Sequence, residues 1–240
     1  MTASRCVRPE LLDDLRPDDP MAIRSRRDLR RVHRAMRSVS ELRHALSRLR
    51  FGAPPKNILE LGAGDGSLLL RLAGAVGPRW SGVKVTLLDR HRIVSSETVN
   101  SYRRHGWEVT TVCQDALIWA RQSAHQHYDL TVATLFLHHF KDSELRDLLR
   151  GVVSQSRAFI AIEPRREMLA KVGSRLIGLL GTNAVTREDA VKSVDAGFTD
   201  DEIAAAWPSS DKTWWTREFR FLPFSHGFIA ARNDARITHA

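Results

Sequence analysis

The chain has 240 residues, 42% of them hydrophobic and 27% charged, which predicts a folded protein with a sizeable core. Its two cysteines, Cys6 and Cys113, exclude a disulfide framework and a four-cysteine zinc site, and no Cys/His cluster has metal-ligand spacing, so we expect no metal. Apolar runs stay short of the ~18 residues of a membrane span, and the N-terminal residues lack a signal peptide's apolar stretch. We therefore expect a soluble, cytoplasmic protein.

The net charge of +9 is concentrated near the N-terminus. Residues 23–50 contain ten arginines and only two acids, Asp28 and Glu41, which gives this segment a charge of +8. A basic segment of this kind is typical of a nucleic-acid contact, of an anionic membrane contact, or of a solvated helix face. Composition leaves these three alternatives open.

The same segment has the apolar spacing of an amphipathic helix. Apolar residues recur at steps of three and four, opposite the arginines; they are Leu29, Val32, Met36, Val39, Leu42, Leu46 and Leu49. The helix is expected to end before Gly52-Ala53-Pro54-Pro55, because proline lacks a backbone donor and restricts the residue before it. We therefore divide the chain into an N-terminal helical arm or lid, residues 1–55, and a second domain, residues 56–240.

Short apolar runs alternate with helical patterns from residue 57 onward. We predict five strands, at 57–61, 84–88, 108–113, 130–136 and 159–163, separated by helices near 67–76, 92–104, 115–122 and 142–154. This alternation predicts an α/β fold in which crossover helices connect a parallel sheet.

In the remaining residues, helices and strands no longer alternate: helical patterns come first and two strands follow. We predict an apolar helix near 166–180, a polar stretch at 182–197, a short helix capped by Thr199, and strands at 214–222 and 227–231. Pro223 lies between these two strands, so we expect a hairpin that closes the sheet.

The first predicted strand ends in a glycine-rich turn, Glu60-Leu61-Gly62-Ala63-Gly64-Asp65-Gly66, which leads into a helix. Glycines allow the backbone to approach a ligand closely, and a helix N-terminus offers free amide groups. A dinucleotide site requires Gly-x-Gly-x-x-Gly, but the sixth position is Ser67, which disfavours NAD. The turn therefore favours a binding site for another nucleotide-type ligand over a tight strand-to-helix connection that binds no ligand.

Acids follow the next two predicted strands. Asp89 closes the second strand, where a carboxylate can accept both hydroxyls of a ribose. Asp115, followed by Ala116, lies after the third strand and could accept from the exocyclic amine of adenine. Asp115 could equally be a plain helix cap, and Asp89 a solvated strand end.

In order and spacing, the run 58–66, Asp89 and the pair Asp115-Ala116 resemble the class I S-adenosylmethionine-dependent methyltransferases, over residues 57–231. The resemblance implies S-adenosylmethionine as cofactor and a Rossmann-like seven-stranded methyltransferase sheet whose last strand is antiparallel. It places Asp89 on the ribose hydroxyls, Arg90 beside the adenine, and Asp115 at the adenine edge. The cofactor-binding residues it implies are Glu60, Gly62, Ala63, Gly64, Asp65, Gly66, Asp89, Arg90, Asp115, Ala116, Thr134 and Leu135.

The segment 129–140 is similar to the fourth-strand region of small-molecule methyltransferases related to those of quinone biosynthesis and of polyketide and phenolic-lipid pathways. This resemblance implies that the methyl acceptor lies near Thr134, Leu135, His138 and His139. His138 or His139 could then remove a proton as the catalytic base. The alternative is that one ring caps the next helix or packs beneath the sheet.

Two features after the fourth strand have open interpretations. Arg165 or Arg166 could pair with an anionic acceptor or form a surface ion pair. The helix near 166–180 could join the arm as a lid over a hydrophobic acceptor, or could pack as an extra helix.

The sequence therefore predicts a methyltransferase for a small aromatic or lipidic acceptor, modified at oxygen or carbon. The alternatives are an RNA or protein methyltransferase that uses the basic helix, and a catalytically silent binding protein of the same fold. Nucleic acid is disfavoured because the fourth strand lacks an Asn/Asp-Pro-Pro-aromatic motif and the chain lacks a Pro-Cys nucleophile. The basic amphipathic helix also suits peripheral membrane contact, which fits a lipidic acceptor.

Overall fold

Seven strands form one mixed sheet in the structure, a computed structural model that describes residues 4–122, 127–208, 213–233 and 237–239. Two further strands pair outside this sheet. In chain order the nine strands of the described residues are β1 (Leu49–Phe51), β2 (Asn57–Leu61), β3 (Lys84–Asp89), β4 (Glu108–Cys113), β5 (Leu130–Thr134), β6 (Ala158–Pro164), β7 (Trp214–Phe221), β8 (Ser225–Arg232) and β9 (Ile237–His239). The sheet order is β4-β3-β2-β5-β6-β8-β7, and β1 pairs separately with β9.

Ten α-helices surround the sheet in the described part of the chain. They are α1 (Leu11–Asp14), α2 (Pro20–Ala35), α3 (Ser38–Arg48), α4 (Ser67–Val76), α5 (Ser96–Arg104), α6 (Ala116–Arg121), α7 (Asp142–Gln155), α8 (Met168–Leu176), α9 (Ala184–Asp195) and α10 (Glu202–Ala206). Short 3-10 helices occupy Gly77–Trp80, Leu137–His139 and Ile177–Leu180. None of the described helices combines the length and apolar character needed to cross a bilayer.

The sheet confirms the predicted fold class. Strands β2 to β6 pair in parallel, whereas β8 runs antiparallel to both β6 and β7. Every residue of β5 and β6 is buried, as expected for parallel strands covered by helices on both faces. Neighbouring side chains alternate between two cores, with Ile58 in the core beside α3 and α4 and Leu59 in the core beside α6 and α7.

Predicted strand ends agree with the observed ends to within two residues. The largest shift among the predicted crossover helices is at α5, which begins at Ser96 rather than near residue 92. Its start is fixed by Ser95, whose side chain accepts from the backbone N–H of Thr98 at 3.1 Å. β5 ends two residues early because Leu135 turns into the left-handed region, with φ of 52°.

The single N-terminal helix predicted from the arginine-rich segment is wrong. The segment forms α2 and α3, which are separated at Arg37 with φ of 59°, and its last residues form β1 against β9. The break lets one apolar stripe be buried in two places. Leu42 and Leu46 of α3 enter the core beside the sheet, whereas Leu29 of α2 is half-buried at the cavity described below.

Two further predictions near the C-terminus are corrected. The polar stretch 182–197 contains α9, which is capped by Asn183 and buries polar groups such as Asp189 instead of an apolar stripe. Thr199 is not the cap of the next helix, because α10 begins at Glu202 after Asp201. Thr199 instead donates its backbone N–H to the Glu202 carboxylate at 2.8 Å.

Candidate active site

A cavity of about 690 Å³ opens at the carboxyl ends of β2, β3 and β5, the edge where parallel α/β sheets bind their ligands. Eleven of the twelve predicted cofactor-binding residues line it, together with His138 and His139. We call the part formed by strand ends the polar wall; it comprises Glu60, Gly62, Ala63, Gly64, Asp65, Asp89, Arg90, Asp115, Ala116 and Thr134.

Gly66 is the predicted cofactor residue that lies outside the cavity. It precedes α4 with φ of 73°, and its carbonyl accepts from the Tyr102 hydroxyl at 2.7 Å. A Cβ at this position would lie 2.7 Å from the side chain of Leu87. Gly66 therefore shapes the turn, and its assignment as a cofactor-binding residue stays a prediction.

The turn before Gly66 presents backbone to the cavity. Gly64 has φ of 55°, and a Cβ built on it would meet nothing within 4 Å. Its N–H donates to Asp89 at 2.9 Å, which joins the ends of β2 and β3. Gly62 also has positive φ and is crossed closely by the Phe136 ring, which leaves no room for a side chain.

The two other predicted acids are held by backbone amides. Asp89 accepts from Gly64 and from the N–H of His91 at 2.8 Å. Asp115 caps α6, since its Oδ1 accepts from the N–H groups of Leu117 and Ile118 at 2.7 and 3.2 Å. The cap interpretation of Asp115 is thus confirmed, while the residue also lines the cavity.

Glu60 and Thr134 supply buried oxygens that lack a partner. Among the described residues, nothing hydrogen-bonds to Glu60 Oε2 or Thr134 Oγ1, although both residues are buried and line the cavity. Burial raises the pKa of Glu60 well above its usual value, and the nearby carboxylates of Asp65 and Asp89 raise it further. Such oxygens are expected to be satisfied by a ligand that donates hydrogen bonds or carries positive charge.

His138 lies between two carboxylates. Its Nδ1 is 2.8 Å from Glu163 Oε2 and its Nε2 is 3.4 Å from Glu10 Oε1. Burial acts to lower the pKa of His138, but the two carboxylates outweigh burial and raise this pKa to about 9. Burial likewise opposes ionisation of Glu10, yet His138, His139 and Ser193 bring the pKa of Glu10 down to about 2.

Glu163 holds the loop that carries the histidines. Besides His138, it accepts from the N–H groups of Phe136 and Leu137 at 3.0 and 2.9 Å. Both ring nitrogens of His138 face carboxylates, and the assignment of His138 or His139 as the catalytic base stays a prediction. His139 lines the same cavity, is 25% exposed, and has its Nδ1 3.4 Å from Asp13 Oδ2.

Sequence reasoning missed the N-terminal residues that cover the cavity. Asp13 pairs with Arg90 at 2.6 Å, and Arg30 of α2 pairs with Asp65 at 2.8 Å. Arg5 anchors this segment by donating to the carbonyl of Phe140 at 2.7 Å. The run of acids between residues 10 and 19, beside so basic a segment, was the signal that could have indicated these contacts.

The opposite side of the cavity is apolar. We call it the apolar wall; it comprises Leu29 and Val32 of α2, Met36 just after it, Leu176 at the end of α8, and Ile177 and Leu180 beyond α8. The outer side of α8 leaves Met168 76% exposed, and Leu179 beyond it is 83% exposed. The predicted apolar helix near 166–180 thus lines the cavity on one side and faces solvent on the other.

Arg165 and Arg166 do not reach the cavity. Both are buried, with Arg165 2.5 Å from Glu167 and Arg166 2.6 Å from Glu202. They form ion pairs, as one interpretation predicted, but the arginines themselves are buried; Arg165 pairs with Glu167 at the start of α8, and Arg166 with Glu202 of α10.

Comparison with known proteins finds a domain match over part of the chain. Residues 58–158 match a family model described as a methyltransferase domain. Among curated proteins, none matches the sequence significantly.

Solved structures with the same fold cover most of the chain. The plantazolicin methyltransferase BpumL, in complex with SAH, is 13% identical and has a TM-score of 0.64 over 90% of this chain and 92% of that chain. The plantazolicin methyltransferase BamL, with a triazolic desmethylPZN analog and SAH, is 15% identical with a TM-score of 0.61 over 93% of each chain. An O-methyltransferase family protein from Burkholderia thailandensis is 16% identical, with a TM-score of 0.56 over 85% of this chain and 57% of that one.

The matched domain and the sheet topology define a class I methyltransferase fold. Residues 58–158 therefore match a methyltransferase domain, and the chain shares its fold with methyltransferases whose structures contain SAH.

Proposed function

We propose that this protein is an S-adenosylmethionine-dependent methyltransferase that acts on a small hydrophobic acceptor, aromatic or lipidic, at an oxygen or an acidic carbon. The observation that carries the proposal is the pairing of two unlike surfaces in one cavity. Unpartnered buried oxygens of the polar wall and apolar side chains of the apolar wall line the same cavity, so a charged cofactor and a hydrophobic acceptor can be bound side by side.

The polar wall fits S-adenosylmethionine. Glu60 and Thr134 offer oxygens without a partner among the described residues, and Gly64 leaves open space at the turn. Glu60 would hold the ammonium group, the Gly62–Gly64 backbone the amino-acid and ribose part, and Asp89 the ribose hydroxyls. The bound cofactor supplies a methyl group activated by a positively charged sulfur.

The chain's contribution to transfer is mainly alignment and exclusion of water. Methyl transfer depends on holding the acceptor atom in line with the donor carbon, and this alignment lowers the barrier substantially. Arg5, Arg30 and Arg90 tie the N-terminal residues and α2 over the cavity, which limits access of water. His139 lines the cavity and is partly exposed, so it is within reach of an acceptor bound there.

One alternative from the sequence, an RNA methyltransferase that uses the basic helix, receives less support. The basic residues of α2 are partly used within the chain, since Arg30 pairs with Asp65 and Arg31 with Asp28 at 2.8 Å. A covered, partly apolar cavity also suits a small acceptor better than a nucleic acid. An RNA methyltransferase would bind RNA with an affinity that falls steeply between about 50 and 200 mM salt, and we expect no such binding.

The proposal is tested by methylation of a panel of phenols, quinols and long-chain phenolic lipids, with products identified by mass spectrometry. We expect methylation of at least one apolar acceptor, and Leu180→Asn should raise the KM for that acceptor. Leu179→Asn is the matched control, because Leu179 is exposed and does not line the cavity. Binding of SAH without methylation of any acceptor would instead favour the silent binding protein.

A further inference from the structure

Three side chains with metal-binding groups converge beside the cavity, although they come from distant parts of the chain. Glu10 lies before α1, and His138 and His139 lie in the 3-10 helix Leu137–His139. One ligand atom from each of the three lies within 4.8 Å of the other two. Glu10 Oε1 is 3.4 Å from His138 Nε2, and Glu10 Oε2 is 4.0 Å from His139 Nε2.

The far nitrogen of each imidazole faces a carboxylate. His138 Nδ1 is 2.8 Å from Glu163, and His139 Nδ1 is 3.4 Å from Asp13. Histidines that bind metals generally donate their other ring N–H to a carboxylate or carbonyl, which orients the ring and selects its tautomer. Both Nε2 atoms are therefore directed to one place, beside the Glu10 carboxylate.

The spacing suits a metal ion better than a hydrogen-bond network. Ligands about 2.0–2.2 Å from a tetrahedral zinc ion lie about 3.3–3.6 Å from one another. The 3.4 Å separation of Glu10 and His138 falls in this range, and it is longer than a good N–H···O hydrogen bond. The 4.0 Å separation of Glu10 Oε2 and His139 Nε2 requires a small rotation of the carboxylate, whose other oxygen, Oε1, accepts from the Ser193 hydroxyl at 2.5 Å.

We propose that Glu10, His138 and His139 bind a divalent transition-metal ion, with zinc preferred for this set of two imidazoles and one carboxylate. Three protein ligands leave a further coordination position, as in catalytic rather than structural zinc sites. All three residues line the cavity, so that position is open to a ligand bound there.

The metal's role in catalysis rests on the proposed function, and it narrows the acceptor to a hydroxyl compound such as a phenol or an enol. A metal lowers the pKa of a hydroxyl that it binds. The hydroxyl releases its proton to solvent, and the oxygen's electron pair forms a bond to the methyl carbon as the carbon–sulfur bond breaks toward sulfur. The products are a methyl ether, SAH and one proton.

The test uses the full chain, stripped of metal with a chelator and titrated with Co²⁺, whose visible absorption reports a tetrahedral site, and then with Zn²⁺ in competition. We expect one Co²⁺ per chain, displaced by Zn²⁺. Glu10→Gln and His139→Ala should each weaken binding by at least about tenfold, and Asp13→Asn by a similar or smaller factor. His105→Ala is the control, because His105 lies outside the cavity and its loss should leave Co²⁺ binding unchanged.

SAH binding, measured by calorimetry on the same samples, separates the two proposals and reports folding. Metal binding that fails in both Glu10→Gln and His139→Ala while SAH still binds supports the site. Absence of Co²⁺ binding in the wild type, or binding that neither substitution weakens, overturns it. Co²⁺ binding without any SAH binding would leave the metal site standing and contradict the proposed function.

Discussion

The polar and apolar walls of the cavity are built in opposite ways. The polar wall comes from the ends of adjacent strands, where backbone amides and carboxylates hold one another, as in the pair Gly64 and Asp89. The apolar wall is assembled from residues in and just after α2 and from residues at and beyond the end of α8, two segments more than a hundred residues apart. A cofactor surface can therefore be fixed by local geometry, whereas the acceptor surface depends on how distant elements pack.

Substitution of the arm's two helices should produce the largest effects and should separate packing from binding. Leu42 of α3 is fully buried, so Leu42→Ala should lower the free energy of unfolding by about 2–5 kcal/mol. Leu29 of α2 is half-buried at the cavity, so Leu29→Ala should cost much less stability and should raise the acceptor's KM. Urea denaturation and steady-state kinetics check both. Equal losses of stability would break the distinction between a packed helix and a cavity wall.

The second prediction concerns the polar wall and its charge. Burial holds the pKa of Glu60 high in the free protein, whereas a cationic ligand favours the ionised carboxylate. Cofactor binding should therefore release a proton from Glu60. Affinity for S-adenosylmethionine should rise with pH between about 5.5 and 7.5, a range in which the cofactor's own α-amino group stays protonated because its ordinary pKa is higher. Glu60→Gln should weaken binding by about 10–100-fold, as expected for loss of a charged hydrogen bond.

Calorimetry in buffers of different ionisation enthalpy measures this proton release directly. The control is Thr134→Ala, which removes a cavity oxygen without removing a charge and should retain the proton release. Proton release that persists in Glu60→Gln would show that another group titrates on binding.

A smaller effect is expected where the apolar wall continues onto the outer surface. Met168 and Leu179 are largely exposed, as is Leu222 in the β7–β8 turn, and the arginine-rich α2 borders the same cavity. We predict binding to vesicles that contain anionic phosphatidylglycerol, since apolar side chains and basic residues both favour such a surface.

Sedimentation with vesicles checks this membrane prediction. The double substitution Met168→Ser and Leu179→Ser should reduce binding about tenfold or more, because each apolar side chain contributes about 1.5–3 kcal/mol when fully buried. Ile118→Ser is the matched control, as Ile118 is 55% exposed on α6. Equal loss of vesicle binding in the control, or no vesicle binding by the wild type, would contradict the membrane prediction and leave acceptor binding as the role of the apolar wall.

The smallest effect should come from the ion pair that joins the two walls. Arg30 of α2 contacts Asp65 of the polar wall at 2.8 Å, with the Arg30 side chain 48% exposed. Arg30→Ala should change stability by less than about 1 kcal/mol, because exposed ion pairs contribute little. Its effect should fall on the KM values instead, and Arg27→Ala on the exposed side of α2 should change neither.

The strand ends could be predicted from the sequence because each of them depends on neighbouring residues. The turn from Gly62 to Gly64 and the acid Asp89 belong to short patterns whose geometry is fixed within a few residues. The position of Gly66 outside the cavity lining could not be predicted, because a glycine that shapes a turn and a glycine that faces a ligand look identical in sequence. Thr134 was included only through the resemblance of its segment to a family, since nothing local indicates an unpartnered hydroxyl.

The rest of the cavity depends on contacts that no local pattern encodes. Glu10 reaches His138 and His139 across more than a hundred residues, and α9 holds the N-terminal residues through Asp189, which accepts from the N–H groups of Leu11 and Leu12. The arm was predicted as one helix because its apolar spacing continues through Arg37, where the backbone turns. Periodicity indicates which residues are buried, but it does not show that two halves of one stripe are buried in different places.

The most direct measurement is a calorimetric titration of SAH and NAD into the wild type, Asp89→Asn and the exposed control Asp147→Asn. The polar wall, as described, predicts that SAH binds to the wild type and to Asp147→Asn, that Asp89→Asn loses most of this affinity, and that NAD does not bind. Equal SAH affinity in all three proteins, or binding of NAD in place of SAH, would contradict the assignment of the cavity to methyl transfer.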